Sequence, residues 1–241
     1  MEANQWFHNN YANQQNNIKK PQTDAQNTET NITINKGETA MDKKEKALTF
    51  EKELKWIQNK NIRKFAIMML SELPDYFFSI PASSTGKYHP AYSLGEGGLV
   101  RHTKAAVLIA KNLLDLEQYK NDFDEEHRDI ILTALLLHDG VKHGVDGGKY
   151  TVATHPMEMS DFILSNEKIC KIIMGDSGEE DELLGCICEC IECHMGEWNA
   201  DYKTKKEILP KPTTSMEKFV HMCDYLASRK FLEVNFDKAE G

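Results

Sequence analysis

The spacing of hydrophobic residues predicts helices along most of the chain, because apolar positions recur every three or four residues. The first two helices are predicted from the apolar positions Leu48, Phe50, Leu54 and Ile57, and then Ile62, Phe65, Ile67 and Met68. Further helices are predicted over residues 98–116, 125–138, 156–165, 167–174, 180–194 and 213–232. No alternating pattern of useful length indicates a strand, so the expected fold class is all-α, a single helical bundle.

The segment of residues 1–42 lacks this pattern and is rich in Asn, Gln and Thr. Such a composition cannot bury enough apolar surface to offset the entropy that is lost on ordering. We therefore predict a disordered Asn/Gln-rich tail over residues 1–42 and one α-helical domain over residues 43–241.

Two of the predicted helices carry a polar residue on an apolar face. His102 follows Leu99 by three positions and precedes Ala106 by four, so the three residues share one face. Asp224 follows Val220 by four positions and points inward in the same way. Each of these residues alone fits an ordinary core position whose hydrogen bonds are satisfied. They indicate a site only together with a third buried helix that also carries a histidine and an aspartate.

The stretch "LTALLLHDGVKHG", residues 132–144, places His138 and Asp139 at the end of a buried helix. A buried carboxylate is costly unless it has a partner or a cation. Histidine nitrogens combined with carboxylate oxygens suit Zn, Mn, Fe, Co or Ni. The sequence therefore predicts a metal site that combines His138 and Asp139 with His102 and Asp224.

Composition narrows the class of protein. The 241 residues are 40% hydrophobic and 28% charged, as in an ordinary globular protein, and the formal net charge of -9 shows no general basic footprint for nucleic acid. No apolar run is long enough to span a bilayer, and no signal-peptide pattern is present, so no membrane partner is expected. The six cysteines crowd into one third of the chain, which favours a reducing, cytoplasmic location.

The cysteine-rich run "CICECIECH", residues 186–194, has two interpretations. Cys190 and Cys193 have the spacing of a zinc-ligand pair. Cys186, Cys190 and Cys193 also recur at intervals of four and three, like one buried stripe of a helix. Because free cysteine behaves as a small core residue, the structural interpretation is favoured.

The order of the candidate ligands resembles the signature H…HD…D of the HD-domain metal-dependent phosphohydrolases, read here as His102, His138–Asp139 and Asp224. A closer similarity is to the HD domain of the 3′–5′ exoribonuclease type. The segments that carry this similarity are "IPASSTGKYHPAYSLGEGGLVRHT", "HDGVK", "CHMGEW" and "HMCDYLASR".

The resemblance implies a fold, a ligand set and a reaction. It implies an HD-type helical bundle that binds one or two divalent transition-metal ions, with His155 and His194 as the additional ligands of two-metal members. A one-metal site in which His155 or His194 donates a proton stays open. The implied reaction is hydrolysis of a phosphate ester or phosphodiester by a metal-activated water that Asp139 orients or deprotonates.

The remaining candidates concern the substrate. Lys142, which follows the His–Asp pair closely, is placed to stabilise phosphate oxygens as negative charge develops. The candidate substrate-binding residues are Lys87, His89, Arg101, Trp198 and Arg229. Trp198 could stack on a base, and a packing role is the alternative.

The expected function is that of a metal-dependent phosphohydrolase acting on a nucleotide, on another phosphate ester or on a short single-stranded nucleic acid. Two alternatives stay open. The same ligand order resembles the HD-fold di-iron oxygenases of the myo-inositol oxygenase group, and a catalytically silent HD module could sense a nucleotide. The oligomeric state is left open.

Overall fold

The computed structural model describes residues 40–83, 85–174 and 181–230. The α-helices of these residues are α1 Lys43–Leu48, α2 Glu51–Leu54, α3 Lys60–Glu72, α4 Gly98–Leu114, α5 Glu117–Lys120, α6 Glu125–Leu137, α7 His155–Ser165, α8 Glu167–Met174, α9 Asp181–Glu192 and α10 Ser215–Ala227. Short 3₁₀ helices cover Asp75–Phe78, Ala91–Ser93 and Gly196–Trp198, and no strand forms within the described ranges. The prediction of an all-α fold is confirmed. Of the tail predicted over residues 1–42, residues 1–39 lie outside the described residues.

The first predicted helix is wrong in detail, since the chain forms two short helices there instead of one. Asp42 begins α1 by accepting a hydrogen bond from the Lys44 amide, and the helix ends at Leu48. Leu48, which we assigned to the apolar face, is 52% exposed, whereas Phe50 is fully buried. The break between α1 and α2 lets Phe50 turn into the core.

The apolar face of α3 is rotated relative to the prediction. Ile67 and Met68 are each 37% exposed. The buried residues of this helix are Ile62, Phe65, Ala66, Met69 and Leu70. These positions follow the helical repeat more closely than the predicted set, because a strict repeat from Ile62 passes through Met69 rather than Met68.

The last helix is shorter than predicted. It begins with a capping box, in which Thr214 accepts from the Glu217 amide and the Glu217 carboxylate accepts from the Thr214 amide. It ends at Ala227, where the backbone of Ser228 leaves the helical conformation. Residues 231 and 232, the end of the predicted helix, lie outside the described residues.

Helix α6 forms the centre of the bundle. It packs against α3, α4, α9 and α10. Every one of its residues from Asp129 to Leu137 is buried. Its C-terminal end therefore lies in the interior, and the residues that follow Leu137 enter the core rather than solvent.

The start of α3 depends on a buried carboxylate of α6. Asp129, which is 1% exposed, accepts hydrogen bonds from the backbone amides of Gln58 at 2.8 Å and of Asn59 at 2.6 Å. Both amides lie at the N-terminus of α3, where backbone donors lack helical partners. Asp129 therefore joins two helices of the core through charge-assisted hydrogen bonds.

Replacing Asp129 by alanine should lower the free energy of unfolding by about 3 kcal/mol, because two backbone donors would lose a buried, charged acceptor. Asp124→Ala is the matched comparison, since Asp124 caps the N-terminus of α6 from an exposed position. Its loss should lower the free energy of unfolding by about 1 kcal/mol. Urea denaturation followed by circular dichroism measures both. Equal losses in the two variants would contradict the role assigned to Asp129.

Candidate metal centre

Four histidines and two aspartates from five segments meet in the interior. The contributors are His102 of α4, His138 and Asp139 at the end of α6, His155 at the start of α7, His194 just after α9 and Asp224 of α10. The four imidazoles and Asp139 are each at most 2% exposed. Asp224 retains 17% exposure of its side chain, which makes it the most open member. The six residues predicted as ligands are thus brought together.

Asp224 joins one half of the cluster. Its Oδ1 atom lies 2.9 Å from Nε2 of His102 and 3.5 Å from Nε2 of His138. The second carboxylate approaches from the other side, because Oδ2 of Asp139 lies 3.4 Å from Nε2 of His138 and 3.8 Å from Nε2 of His102. Two carboxylates and two imidazoles therefore face a common centre.

Asp139 also joins the other half. Its second oxygen, Oδ1, lies 3.0 Å from Nε2 of His155 and 3.8 Å from Nε2 of His194. Three overlapping groups have ligand atoms within 4.8 Å of one another, and they are His102–His138–Asp139, His138–His194–Asp224 and Asp139–His155–His194. These buried groups could hold a metal ion, and Asp139 is the carboxylate that belongs to both ends of the cluster.

Three of the histidines are held in the same way. The Nδ1 atoms of His138, His155 and His194 lie 2.8, 2.8 and 2.7 Å from the carbonyl oxygens of Leu135, Val152 and Ile191, each three residues earlier in the chain. A carbonyl oxygen can only accept, so Nδ1 carries a proton and donates it. In a neutral imidazole the proton is then absent from Nε2, whose lone pair points into the cluster.

When the imidazoles are neutral, this arrangement places the lone pairs of nitrogen and oxygen acceptors against one another. Nε2 of His155 and Oδ1 of Asp139 are 3.0 Å apart, yet both atoms are buried without a hydrogen-bond partner. Nε2 of His138 is also buried without a partner. Unpartnered buried acceptors are costly, and a cation between them removes the cost. The residues present therefore fit a metal ion.

The electrostatics of the cluster agree with an attraction for positive charge. Burial opposes a charge on His138, but Asp139 and Asp224 outweigh burial and raise the pKa of this imidazole to about 10, so without another cation a proton occupies its Nε2. Burial, together with the neighbouring His138, lowers the pKa of His194 to about 3. Burial alone would raise the pKa of the Asp139 carboxyl, but Lys142 and His138 hold it well below its usual range.

Lys142 and His89, which the sequence offers as groups that contact the substrate, lie at the edge of the cluster. Nζ of Lys142 donates to Oδ2 of Asp139 at 2.6 Å, and its side chain is 14% exposed. The ring of His89 lies 5.9 Å from the ring of His102, and burial, followed by the charges of His102 and Lys142, lowers the pKa of His89 to about 4. Both groups are close enough to the centre to contact a molecule bound there.

Arg101 and Lys87 have other contacts in the structure. The Arg101 guanidinium donates to the carbonyl oxygens of Tyr92 and Leu94, so it holds the preceding loop. Lys87 is exposed and lies over the ring of Tyr88, at 5.0 Å from the ring centre. Arg101 thus binds the loop before its own helix, and Lys87 contacts its neighbour Tyr88. Within the described ranges, no hydrogen bond or ion pair joins either side chain to a member of the cluster.

His221 belongs to the surroundings of the centre and was missed in the sequence. Its Nδ1–H donates to the carbonyl oxygen of His194 at 2.7 Å, and its Nε2 lies 3.1 Å from the Glu197 carboxylate. The ring packs so closely on Gly196 that a Cβ atom there would lie 2.2 Å from it. A signal existed, because His221 precedes Asp224 by three positions and so shares its side of α10.

The cysteines of residues 186–194 contribute no ligand to the groups found in the described residues, whereas His194, the last residue of this run, belongs to two of them. All six cysteines are free thiols, and Cys188, Cys190 and Cys193 are buried. Burial raises the pKa of Cys188 and of Cys193, which opposes formation of the thiolate that binds metals. Cys188, Cys190 and Cys193 therefore serve as core residues.

Comparisons with protein-family models, with curated proteins and with solved structures found no match to this chain. Among the described residues, no helix combines the length and the apolar character that crossing a bilayer requires.

Replacing Asp139 by asparagine should reduce bound divalent metal to background, because the variant loses the negative charge shared by both ends of the cluster. Elemental mass spectrometry of the full-length protein, after loading and removal of free metal, measures the metal content per chain. His127→Ala is the control, since His127 is an exposed histidine paired with Asp124 and should bind as much metal as the wild type. Full metal content in Asp139→Asn would contradict the assignment, and the wild-type count distinguishes one ion from two.

Gly196→Ala should weaken metal binding by about tenfold or more, since it displaces His221 from the carbonyl of His194. It should also destabilise the fold by more than Gly95→Ala. Gly95 has the same left-handed backbone, with φ +68° against +57°, but a Cβ atom there would contact nothing. Metal titration and thermal unfolding of both variants separate the effect of the clash with His221 from the effect of left-handed backbone strain. Equal losses of metal affinity and of stability in Gly196→Ala and Gly95→Ala would contradict the role of His221.

Proposed function

We propose that the protein is a metal-dependent phosphohydrolase that cleaves a phosphate ester or phosphodiester. The observation that carries the proposal is the pair of unpartnered buried acceptors, Nε2 of His155 and Oδ1 of Asp139, in a cluster that also contains Lys142. The ligand order of the HD-domain phosphohydrolases supports the same assignment.

The donor set favours a particular class of ion. Imidazole nitrogens mixed with carboxylate oxygens suit Mn, Zn, Fe, Co or Ni, whereas Mg²⁺ and Ca²⁺ prefer oxygen ligands alone. The residues that would hold one or two such ions are His102, His138, Asp139, His155, His194 and Asp224. When bound, a divalent ion there would supply a Lewis acid and would lower the pKa of a coordinated water.

Asp139 has the position that proton handling requires. Its two oxygens face different partners, since Oδ2 accepts from Lys142 while Oδ1 faces His155 and His194. A low carboxyl pKa keeps it ionised at neutral pH, so it can accept a hydrogen bond from an attacking water and orient it. We therefore assign the orientation of the nucleophile to Asp139.

Lys142 is assigned to the substrate phosphate. Its ammonium group lies at the partly exposed edge of the cluster, 2.6 Å from Asp139. An ammonium has three donors, so Lys142 can keep its bond to Asp139 and donate to a phosphate oxygen as well. Charge stabilisation of this kind is strongest where water is excluded, as it is beside a carboxylate that is only 2% exposed.

The metal-loaded protein should hydrolyse a panel of phosphate monoesters and diesters, including nucleotides. Lys142→Met should lower kcat by about 100-fold, because a preorganised charge next to the reacting phosphate would be lost. Lys149→Met is the matched control, since Lys149 is exposed and lies over Tyr150, and it should leave kcat unchanged. The metal content of each variant is measured in parallel. A lower kcat caused by loss of the Lys142 charge can then be distinguished from one caused by loss of bound metal.

Two outcomes would contradict the proposal. Oxygen uptake by the iron-loaded protein, with no turnover of any phosphate ester, would favour the oxygenase alternative. Nucleotide binding that survives in Asp139→Asn, with no turnover by the wild type, would favour the silent sensing module. The phosphohydrolase assignment stands if hydrolysis, measured as phosphate released from a monoester or as monoester formed from a diester, depends on Asp139 and on added metal.

A further inference from the structure

Trp198, Tyr225 and Arg229 form a cluster of two aromatic rings and one cation, called here the stacking cluster. The centres of the two rings lie 5.5 Å apart, and their planes differ by 10°. The guanidinium carbon of Arg229 lies 4.6 Å from the indole centre and 4.3 Å from the phenol ring centre. These separations place the guanidinium against both rings at once.

The stacking cluster lies beside the candidate metal centre. Tyr225 follows the ligand Asp224 directly in α10, and Trp198 ends the short helix that begins after His194. The ring of His221 lies 6.1 Å from Trp198 and 6.3 Å from Tyr225, and the same ring donates to the His194 carbonyl. One side chain therefore connects the stacking cluster to a candidate ligand.

The exposure of Trp198 distinguishes it from a packing residue. Its side chain contacts three neighbours, yet the residue remains 44% exposed. A tryptophan that served only the core would bury this area, since indole contributes a large hydrophobic surface. A partly exposed ring that its neighbours hold in place is instead preorganised to stack on a planar ligand.

Arg229 adds a positively charged group at the same place. Among the residues that the structure describes, no carboxylate forms an ion pair with Arg229, and its buried Nε has no hydrogen-bond partner. The neighbouring Asp224 faces His102 and His138 instead. A guanidinium without a carboxylate partner is suited to a phosphate oxygen.

We infer that the stacking cluster is a nucleobase subsite, in which Trp198 stacks on a base while Arg229 contacts a phosphate. The ligand would be a nucleotide, either free or as a residue of a single-stranded oligonucleotide. The inference deepens the proposed function and rests on it, since it names the class of phosphate ester that reaches the metal centre.

Calorimetric titration of the metal-loaded, full-length protein tests the inference with adenosine 5′-monophosphate, ribose 5-phosphate and a short oligoadenylate, each checked afterwards for intactness. The wild type should bind the nucleotide at least about fivefold more tightly than ribose 5-phosphate, which lacks the base. Trp198→Ala should abolish this difference, and Trp198→Phe should retain most of it because an aromatic face remains.

Tyr202→Ala is the matched control. Tyr202 is 84% exposed, and Nζ of Lys205 lies 4.6 Å from the centre of its ring. Tyr202 and Lys205 thus form an aromatic–cation pair like Trp198 and Arg229, but away from the candidate metal ligands. This variant should keep the preference for the nucleotide. Thermal unfolding of each variant shows that the fold is retained.

Equal affinity of the wild type for the nucleotide and ribose 5-phosphate, or a preference that survives Trp198→Ala, would overturn the inference. Tighter binding of oligoadenylate identifies a strand as the source of the base, and equal or weaker binding identifies the free nucleotide. A Trp198-dependent preference without hydrolysis would remove only the proposed function. Hydrolysis that is indifferent to the base would remove only this inference.

Discussion

The cost of burying Asp139 is the constraint on which the rest of the structure depends. Helix α6 is buried along most of its length, so its end delivers this carboxylate into the interior, where it is 2% exposed. An ionised carboxylate in such a place needs positive charge close by. Lys142 provides some of it at Oδ2, but Oδ1 has only imidazole nitrogens as neighbours. The remaining need for positive charge is the reason that the cluster fits a metal ion.

The histidines are prepared for that role by a simple backbone device. His138, His155 and His194 each donate Nδ1–H to the carbonyl three residues earlier, as the last turn of a helix or a tight turn permits. The ring orientation is thereby set by local chain geometry, not by long-range packing. Three separate segments can therefore present the same nitrogen to one centre, and His221 extends this order by holding the carbonyl of His194.

Much of the site could be predicted because helical spacing decides which side chains share a face. His102 and Asp224 were found from their apolar neighbours, and the His138–Asp139 pair from the leucines before it. His155 and His194 lie at or beyond a helix end, where periodicity carries no information, so only a resemblance pointed to them. Arg101 directly precedes His102 in α4, but successive residues of a helix point in different directions, and the Arg101 guanidinium donates to carbonyl oxygens of the preceding loop.

Two buried aspartates near opposite ends of α6 show why burial alone does not identify a functional carboxylate. Asp129 is as deeply buried as Asp139, but two backbone amides of the α3 N-terminus satisfy its oxygens, so it needs no further cation. Asp139 has one satisfied oxygen and one that faces acceptors. The distinction rests on the partners of individual atoms, which depend on how α3 docks against α6 and are invisible to spacing. A buried carboxylate whose partners are themselves acceptors is therefore the stronger indication of a bound cation.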